Sequence, residues 1–240
     1  MTGNRIATQL RRMRRDWDRR ARENARFYVA TYQDQWSDAE FFRSGQETFR
    51  EQILTDLQNI CQGQDPRAMQ VLEIGCGAGR VTRALGGHFG HVYAVDISPE
   101  MVRQARRGLA DFPNVRVFRN NGRDLSVIRG SWWNRWGIGR KLQVDFAFSC
   151  IVFQHIPNRE IIESYVREVN RLLRPGGLFK FQVQGSPRVK ADADDTWVGV
   201  SFSEPEAREM ASRCGFEMRY HDGAGSQYYW LWFFKEREIG

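Results

Sequence analysis

The sequence has no long hydrophobic run, no paired-cysteine motif and no internal repeat. No apolar stretch approaches the roughly 20 residues that a membrane-spanning helix needs. The N-terminus is rich in arginine, but no apolar segment follows it, so no secretory leader is expected. Cysteine is sparse: Cys61, Cys76, Cys150 and Cys214 stand far apart, with no CxxC among them. That spacing speaks against a zinc site and a disulfide scaffold and favours a reducing, cytoplasmic setting. At 240 residues, 41% apolar and 27% charged, the chain has enough material for one substantial core and a small appendage.

Excess positive charge is confined to one segment. Residues 1–26 hold Arg5, Arg11, Arg12, Arg14, Arg15, Arg19, Arg20, Arg22 and Arg26 against Asp16, Asp18 and Glu23, and so carry +6 of the net +7. Ile6, Leu10, Met13, Trp17, Ala21, Ala25, Tyr28 and Tyr32 recur every three or four residues, which predicts an amphipathic helix over 5–32. Its arginine face is either simply solvated or an attractor of nucleic acid or an anionic substrate. Ser44 with Glu47 reads as a capping box that opens a second helix through about Ile60, with Phe49, Ile53, Leu57 and Ile60 as its buried stripe. A linker at Gly63 to Pro66 then separates an N-terminal helical cap, 1–62, from a core, 63–240.

From Met69 the pattern alternates. β-rich runs at 69–74, 91–95, 115–118, 144–149 and 178–184 are separated by helical stretches at 79–86, 99–108 and 159–173. Ser98 and Pro99 supply an N-cap and first helical residue. Ser203 with Glu206 caps a helix that stops before Gly215, and strands at 216–222 and 227–235 follow. Alternation of this kind predicts a doubly wound, mostly parallel α/β sheet with helices on both faces. The stretch 129–143, with Trp132, Trp133 and Trp136, is longer than a connection needs.

The strongest chemical signal is Glu73-Ile74-Gly75-Cys76-Gly77-Ala78-Gly79-Arg80, a buried strand running into a glycine-rich bend and then a helix. Glycine admits positive φ and lets a ligand approach the backbone closely. A dinucleotide fingerprint would place glycine where Arg80 stands, which weakens a nicotinamide dehydrogenase reading. Asp96 lies 19 residues beyond Gly77, at the end of the next strand, where a carboxylate can accept hydrogen bonds from ribose hydroxyls. Ile97 and Met101 are placed to flank an adenine ring.

The ExGxGxG spacing resembles the first motif of the class I S-adenosylmethionine (SAM)-dependent methyltransferases. Asn120-Asn121-Gly122-Arg123-Asp124-Leu125 resembles that family's GDAxDL segment, with Asn121 in the place of the acidic residue that meets the adenine amino group and Gly122 offering a backbone amide. Val144 to Pro157 resembles the fourth strand and its loop, with backbone around Ser149 facing the methionine part of the cofactor. Leu173-Arg174-Pro175-Gly176-Gly177 resembles the turn into the fifth strand. In order, these cover residues 69–185. The resemblance implies a seven-stranded sheet whose last strand inserts antiparallel, SAM as cofactor, and a site built from Glu73, Gly75, Gly77, Asp96, Ile97, Met101, Asn121, Gly122 and Ser149.

Methyl transfer needs a nucleophile held in line with an activated methyl, and a base only if the acceptor must lose a proton. His155 is the candidate base; equally, it could bond a backbone carbonyl and shape its loop. Gln154 could orient the acceptor. Tyr28, Tyr32 and Trp36 read either as a lid over the site or as packing of a docked helix. Trp197 joins Trp132, Trp133 and Trp136 as candidate acceptor walls, or as a dimer contact. Cys150 follows serine rather than the proline of cytosine-5 enzymes, no NPPY-like sequence is present, and no metal set stands out. The leading expectation is methylation of oxygen or nitrogen on a small molecule, with no membrane partner. An RNA or protein acceptor using the arginine helix and a non-catalytic SAM-binding protein are the alternatives.

Overall fold

The structure, a computed structural model, describes residues 2–129, 142–189 and 196–236; Trp132, Trp133 and Trp136 fall outside them. The helices are α1 (Thr2–Val29), α2 (Asp38–Gln52), α3 (Leu57–Cys61), α4 (Thr82–His88), α5 (Pro99–Gly108), α6 (Ser126–Arg129), α7 (Arg159–Leu172) and α8 (Glu204–Arg213). The strands are β1 (Gln70–Ile74), β2 (His91–Asp96), β3 (Val115–Arg119), β4 (Val144–Ser149), β5 (Leu173–Val183), β6 (Phe216–Asp222) and β7 (Tyr229–Lys235). They form one sheet in the order β3-β2-β1-β4-β5-β7-β6. The first five strands pair in parallel. β7 inserts antiparallel between β5 and β6, with Leu178 opposite Phe234 and Val183 opposite Tyr229.

The central strands are apolar on both faces because helices cover both. On one face Leu72, Ile74, Phe179, Phe181 and Phe233 pack with Ile161, Val166 and Val169 of α7 and Met210 of α8. On the other, Val71, Phe146, Phe148 and Leu178 pack with Phe49, Ile53, Ile60 and Leu85. Sheet order reverses between β1 and β4, and at such a switch point the carboxyl ends of the strands open a crevice.

α2 begins earlier than its sequence suggests. Ser37, not Ser44, is its N-cap, and Glu40 completes the capping box. Ser44 lies inside the helix with its hydroxyl donating to the Phe41 carbonyl at 2.7 Å. Gly45 is no helix breaker here: a Cβ on it would sit 1.9 Å from the Arg80 carbonyl oxygen, so its missing side chain lets α2 press against the bend after β1. The stripe after Phe49 is also interrupted, by a 3-10 turn at Leu54–Asp56. α1 stops at Val29 rather than Tyr32 and kinks at Asn24, whose φ of −163° and ψ of 85° are not helical. The Asn24 side chain supports the kink, donating to the Asp34 carbonyl at 2.9 Å and accepting from the Phe27 amide at 3.1 Å.

α1 is fixed to the core by Asp18. Its carboxylate accepts from the Ser98 hydroxyl at 3.0 Å and the Glu100 amide at 2.9 Å, at the start of α5. Burial pushes the Asp18 carboxyl up, but these bonds and the Arg22 guanidinium at 2.9 Å outweigh it and hold its pKa below the usual value. Beside it, Ala21 and Ala25 pack on Ala78 and Met101. Among the described residues no helix is long and apolar enough to cross a membrane.

Candidate active site

The bend after β1 and the tips of β2 and β4 surround a cavity with about 880 Å³ of empty space, its open mouth included. Gly75 and Gly77 have φ of +75° and +53°, which glycine adopts without a Cβ penalty. A Cβ on Gly75 would meet Val152 at 2.3 Å, and one on Gly77 would meet Val29 of α1 at 2.6 Å. The bend is therefore pressed between the β4 loop and the end of α1.

Asp96 closes this bend. One carboxylate oxygen accepts from the Gly77 amide at 2.9 Å and the other from the Ser98 amide at 2.8 Å. Each oxygen retains a lone pair for a ligand hydroxyl. Burial pushes its carboxyl up to about 6, against the pull of those amides. Glu73, at the end of β1, is pushed up to about 7 by burial. Its Oε2 has no hydrogen-bond partner, and neither has Nε of Arg80 across the bend. Both side chains are over nine-tenths buried and line the cavity. Arg80 donates Nη1 to the Ser44 carbonyl at 3.0 Å and to the Thr48 hydroxyl at 2.9 Å, which fixes its guanidinium. Buried polar groups are rarely left unbonded. An unsatisfied acceptor and an unsatisfied donor on residues that line one cavity suit an α-amino acid zwitterion, with ammonium toward Glu73 and carboxylate toward Arg80. The residues therefore fit SAM: an amino-acid tail at the glycine bend, ribose at Asp96, and apolar Ile97 and Met101 beside the adenine position.

Glu73, Gly75, Gly77, Asp96, Ile97 and Met101 all line the cavity. Ser149 does not: it is fully buried, its hydroxyl donating to the Ile74 carbonyl at 2.9 Å, and Cys150, Ile151 and Val152 form the wall in its place. Asn121 faces away, because its side chain accepts from the amides of Arg123 and Asp124 in its own turn. Neither it nor Gly122 lines the cavity; Asn120 does. Asn120 donates to the Tyr165 hydroxyl at 2.6 Å and leaves its buried Oδ1 without a partner. Arg80 and Asn120 are the residues that sequence reasoning passed over. Arg80 counted only as a mismatch to a dinucleotide motif, and Asn120 is one position from the residue that the motif picks out.

The cavity is roofed by α1, through Met13, Trp17, Tyr28 and Val29. Tyr32 borders only an adjoining outer cleft. Trp36 lines neither space; its indole donates to the Ala30 carbonyl at 3.1 Å and its ring packs on Tyr32 and Phe41. The roof is tied down at a second point. Arg20 lies against the rings of both Trp17 and Trp197, 4.8 and 5.0 Å from their centroids. It donates to the carbonyl and hydroxyl oxygens of Thr196, and that hydroxyl donates to Asp16 at 3.1 Å.

His155 borders both the cavity and the outer cleft. Its Nδ1 bonds the Trp197 carbonyl, and because a carbonyl only accepts, that nitrogen carries the proton. Gln182 donates Nε2 to Oε1 of Gln154 at 2.7 Å, which turns the Gln154 amide nitrogen toward Nε2 of His155 at 3.2 Å. Gln182 also accepts from the Ile151 amide at 3.1 Å. Ile151 holds a φ of +55°, a strained conformation for a β-branched residue. The Trp197 carbonyl fixes the His155 tautomer, and the relay Gln182–Gln154 holds the amide at its Nε2 and the wall beside it together. Burial pushes the Cys150 thiol up to about 11, so it is no thiolate nucleophile near neutrality. Among the described residues, no group of three or more His, Cys, Asp or Glu is arranged to hold a metal ion.

Comparison with known proteins agrees with this geometry. Residues 72–179 match the family profile described as a methyltransferase domain. A biotin biosynthesis bifunctional protein, BioCD, of Bordetella avium is 32% identical over 114 residues, 47% of this chain and 21% of that protein. A ubiquinone biosynthesis O-methyltransferase of Xanthomonas oryzae is 28% identical over 115 residues, 47% of this chain and 42% of that enzyme. The chain spans less than half the length of these curated relatives. Among solved structures, magnesium protoporphyrin IX methyltransferase of Synechocystis with bound SAM superposes with a TM-score of 0.63 at 17% identity, covering 95% of this chain and 97% of that one. The match over residues 72–179, together with the sheet order and the glycine bend paired with Asp96, identifies a SAM-dependent methyltransferase domain of the class I fold within this chain.

Proposed function

We propose that the chain transfers the methyl group of SAM to an oxygen or nitrogen of a small-molecule acceptor. The observation that carries this is the pair of buried, unsatisfied charged groups, Glu73 Oε2 and Arg80 Nε, on residues that line the same cavity as Asp96. When bound, the cofactor supplies a methyl already activated by its sulfonium. Glu73 and Arg80 hold the amino-acid tail. Asp96, braced by two backbone amides, orients the ribose, and Asn120 Oδ1 offers an acceptor to the adenine amino group. Trp17 and Tyr28 exclude water from above, and an aromatic face near a sulfonium is favourable by roughly 0.5–2 kcal/mol. The acceptor enters through the outer cleft, past Ile151 and His155. With both ring nitrogens of His155 engaged, we assign it to shaping that passage; acceptor protons leave to solvent unless Gln154 turns aside. Rate then comes chiefly from alignment of nucleophile and methyl.

The test is calorimetry and thermal shift. S-adenosylhomocysteine (SAH) raises the melting temperature and NAD does not, Asp96→Ala removes the SAH response, and labelled SAM marks a low-molecular-weight product in extract. Absence of any SAH heat with folded protein sinks the proposal. A second reading, an RNA acceptor, draws on the exposed Arg5, Arg11, Arg12, Arg14, Arg15, Arg19 and Arg22. Three of these, Arg12, Arg15 and Arg19, lie within 4 Å of Asp16, which weakens the patch. That reading requires RNA affinity that falls steeply with salt.

A further inference from the structure

The outer cleft has a lining unlike the rest of the surface. It adjoins the cofactor cavity, sharing Tyr28, Val29, Arg80, Ile151 and His155 with it, and contains about 1080 Å³ of empty space, open solvent included. Six large hydrophobic side chains stand exposed among the described residues, and four of them, Tyr32, Ile151, Trp197 and Tyr228, line this one cleft. Single exposed apolar side chains need no explanation, but their concentration at one concavity marks a ligand surface. Glu47 and Glu51, one helical turn apart on α2, also line it. Both are exposed, and neither carboxylate has a hydrogen bond or ion pair among the described residues. Among the described lining residues the one cation, Arg80, is over nine-tenths buried, with its Nη1 held by Ser44 and Thr48. In a chain of net charge +7, this cleft is locally negative and walled by aromatic faces.

We propose that the outer cleft is the acceptor subsite and takes an aryl- or alkyl-bodied molecule bearing a protonated amine. The apolar body lies against Trp197 and Tyr228, and the ammonium is drawn to Glu47 and Glu51. Aromatic faces and carboxylates both favour a cation and disfavour an anion, so they act in the same direction. The inference rests on the methyltransferase reading, because the cleft counts as an acceptor site only by opening on the cofactor cavity.

The experiment uses the full chain saturated with SAH and three probes of similar shape: phenethylamine, phenethyl alcohol and 3-phenylpropionate. Binding is followed by calorimetry and by ligand-observed NMR. Phenethylamine is expected to bind about tenfold more tightly than the alcohol, and the anion more weakly than both. Glu47→Gln and Glu51→Gln together bring the amine within about threefold of the alcohol, as partly exposed charges allow, with SAH affinity unchanged. Tyr228→Ala weakens all three probes alike. SAH binding without a preference for the amine, or with a preference for the anion, overturns this inference and leaves the methyltransferase reading standing. Failure of SAH itself to bind overturns both.

Discussion

Glu73→Gln separates stability from cofactor binding, because the group is buried, charged near neutrality and unsatisfied. Burial raises the Glu73 pKa from 4.5 to about 7. A carboxyl whose folded pKa exceeds its unfolded one stabilises the fold fully below pH 4.5, and that contribution is lost as pH rises through 7. The loss approaches about 3 kcal/mol at high pH. Glutamine mimics the protonated acid, so at pH 5 the variant should melt with the wild type. At pH 8, without cofactor, it should melt several degrees higher, at about 2–4 °C per kcal/mol for a chain of this size. Ligand affinity moves the other way. An ammonium seated at Oε2 favours the carboxylate, so SAH binding releases about half a proton at pH 7. The SAH dissociation constant rises about tenfold from pH 8 to pH 6. Calorimetry in buffers of different ionisation enthalpy measures the proton count, and thermal melts from pH 5 to 8 measure the stability arm. Glu73→Gln should cut the proton release at pH 7 to about a tenth of a proton and the pH dependence to about twofold, the share left to Asp96. Wild-type SAH affinity that is flat from pH 6 to 8, with no buffer-dependent heat, would refute the assignment of Glu73 to the ammonium.

Three further perturbations follow from specific contacts. Asn120→Ala removes an unpaired buried acceptor and should weaken SAH about tenfold, yet leave the affinity for an inosine-type analogue, which lacks the adenine amino group, within twofold; an equal loss for both would exclude that contact. Gln182→Met strands the Ile151 amide and Gln154 Oε1, and should cost about 2–4 kcal/mol in denaturant unfolding; the 15N signals of His155 should keep the Nδ1–H pattern that the Trp197 carbonyl sets, while the Nε2 signal shifts on losing the Gln154 amide, and an unshifted Nε2 would show that Gln182 does not hold Gln154 in place. Asp18→Ala unties α1 from α5, should lower stability by about 1 kcal/mol, and should raise the SAH dissociation rate in stopped flow; an unchanged off-rate would mean that the roof does not control release.

Legibility in the sequence followed the range of the physics involved. β1, β2 and the bend between Gly75 and Gly79 were readable because strand pattern, glycine spacing and the 19-residue step to Asp96 are local. β5 was readable only in part: it starts at Leu173, opposite Val144, and passes through Pro175 to Gly177 with a register shift. That start is set by the neighbouring strand and not by propensity. The capping box at Ser44 failed for the same reason, since Gly45 serves contact with Arg80, 35 residues along the chain.

The roof shows how a small backbone event moves a functional assignment. Helical periodicity puts Met13, Trp17, Tyr28 and Tyr32 on one stripe, and a straight helix would aim all of them at the cavity. The kink at Asn24 breaks the stripe. It turns the final segment so that Val29 meets Gly77, and it leaves Tyr32 beyond the helix end at the outer cleft. Asn24 is exposed, and an exposed Asn in a helical pattern carries no sign of its own that its side chain will cap the next segment instead of pointing to water. Asn24→Ala should therefore straighten α1, withdraw Val29 from the bend and weaken SAH without unfolding the core. Unchanged SAH affinity, with α1 still kinked by residual dipolar couplings, would show that the bend is imposed by packing of the 30–36 turn and not by the asparagine.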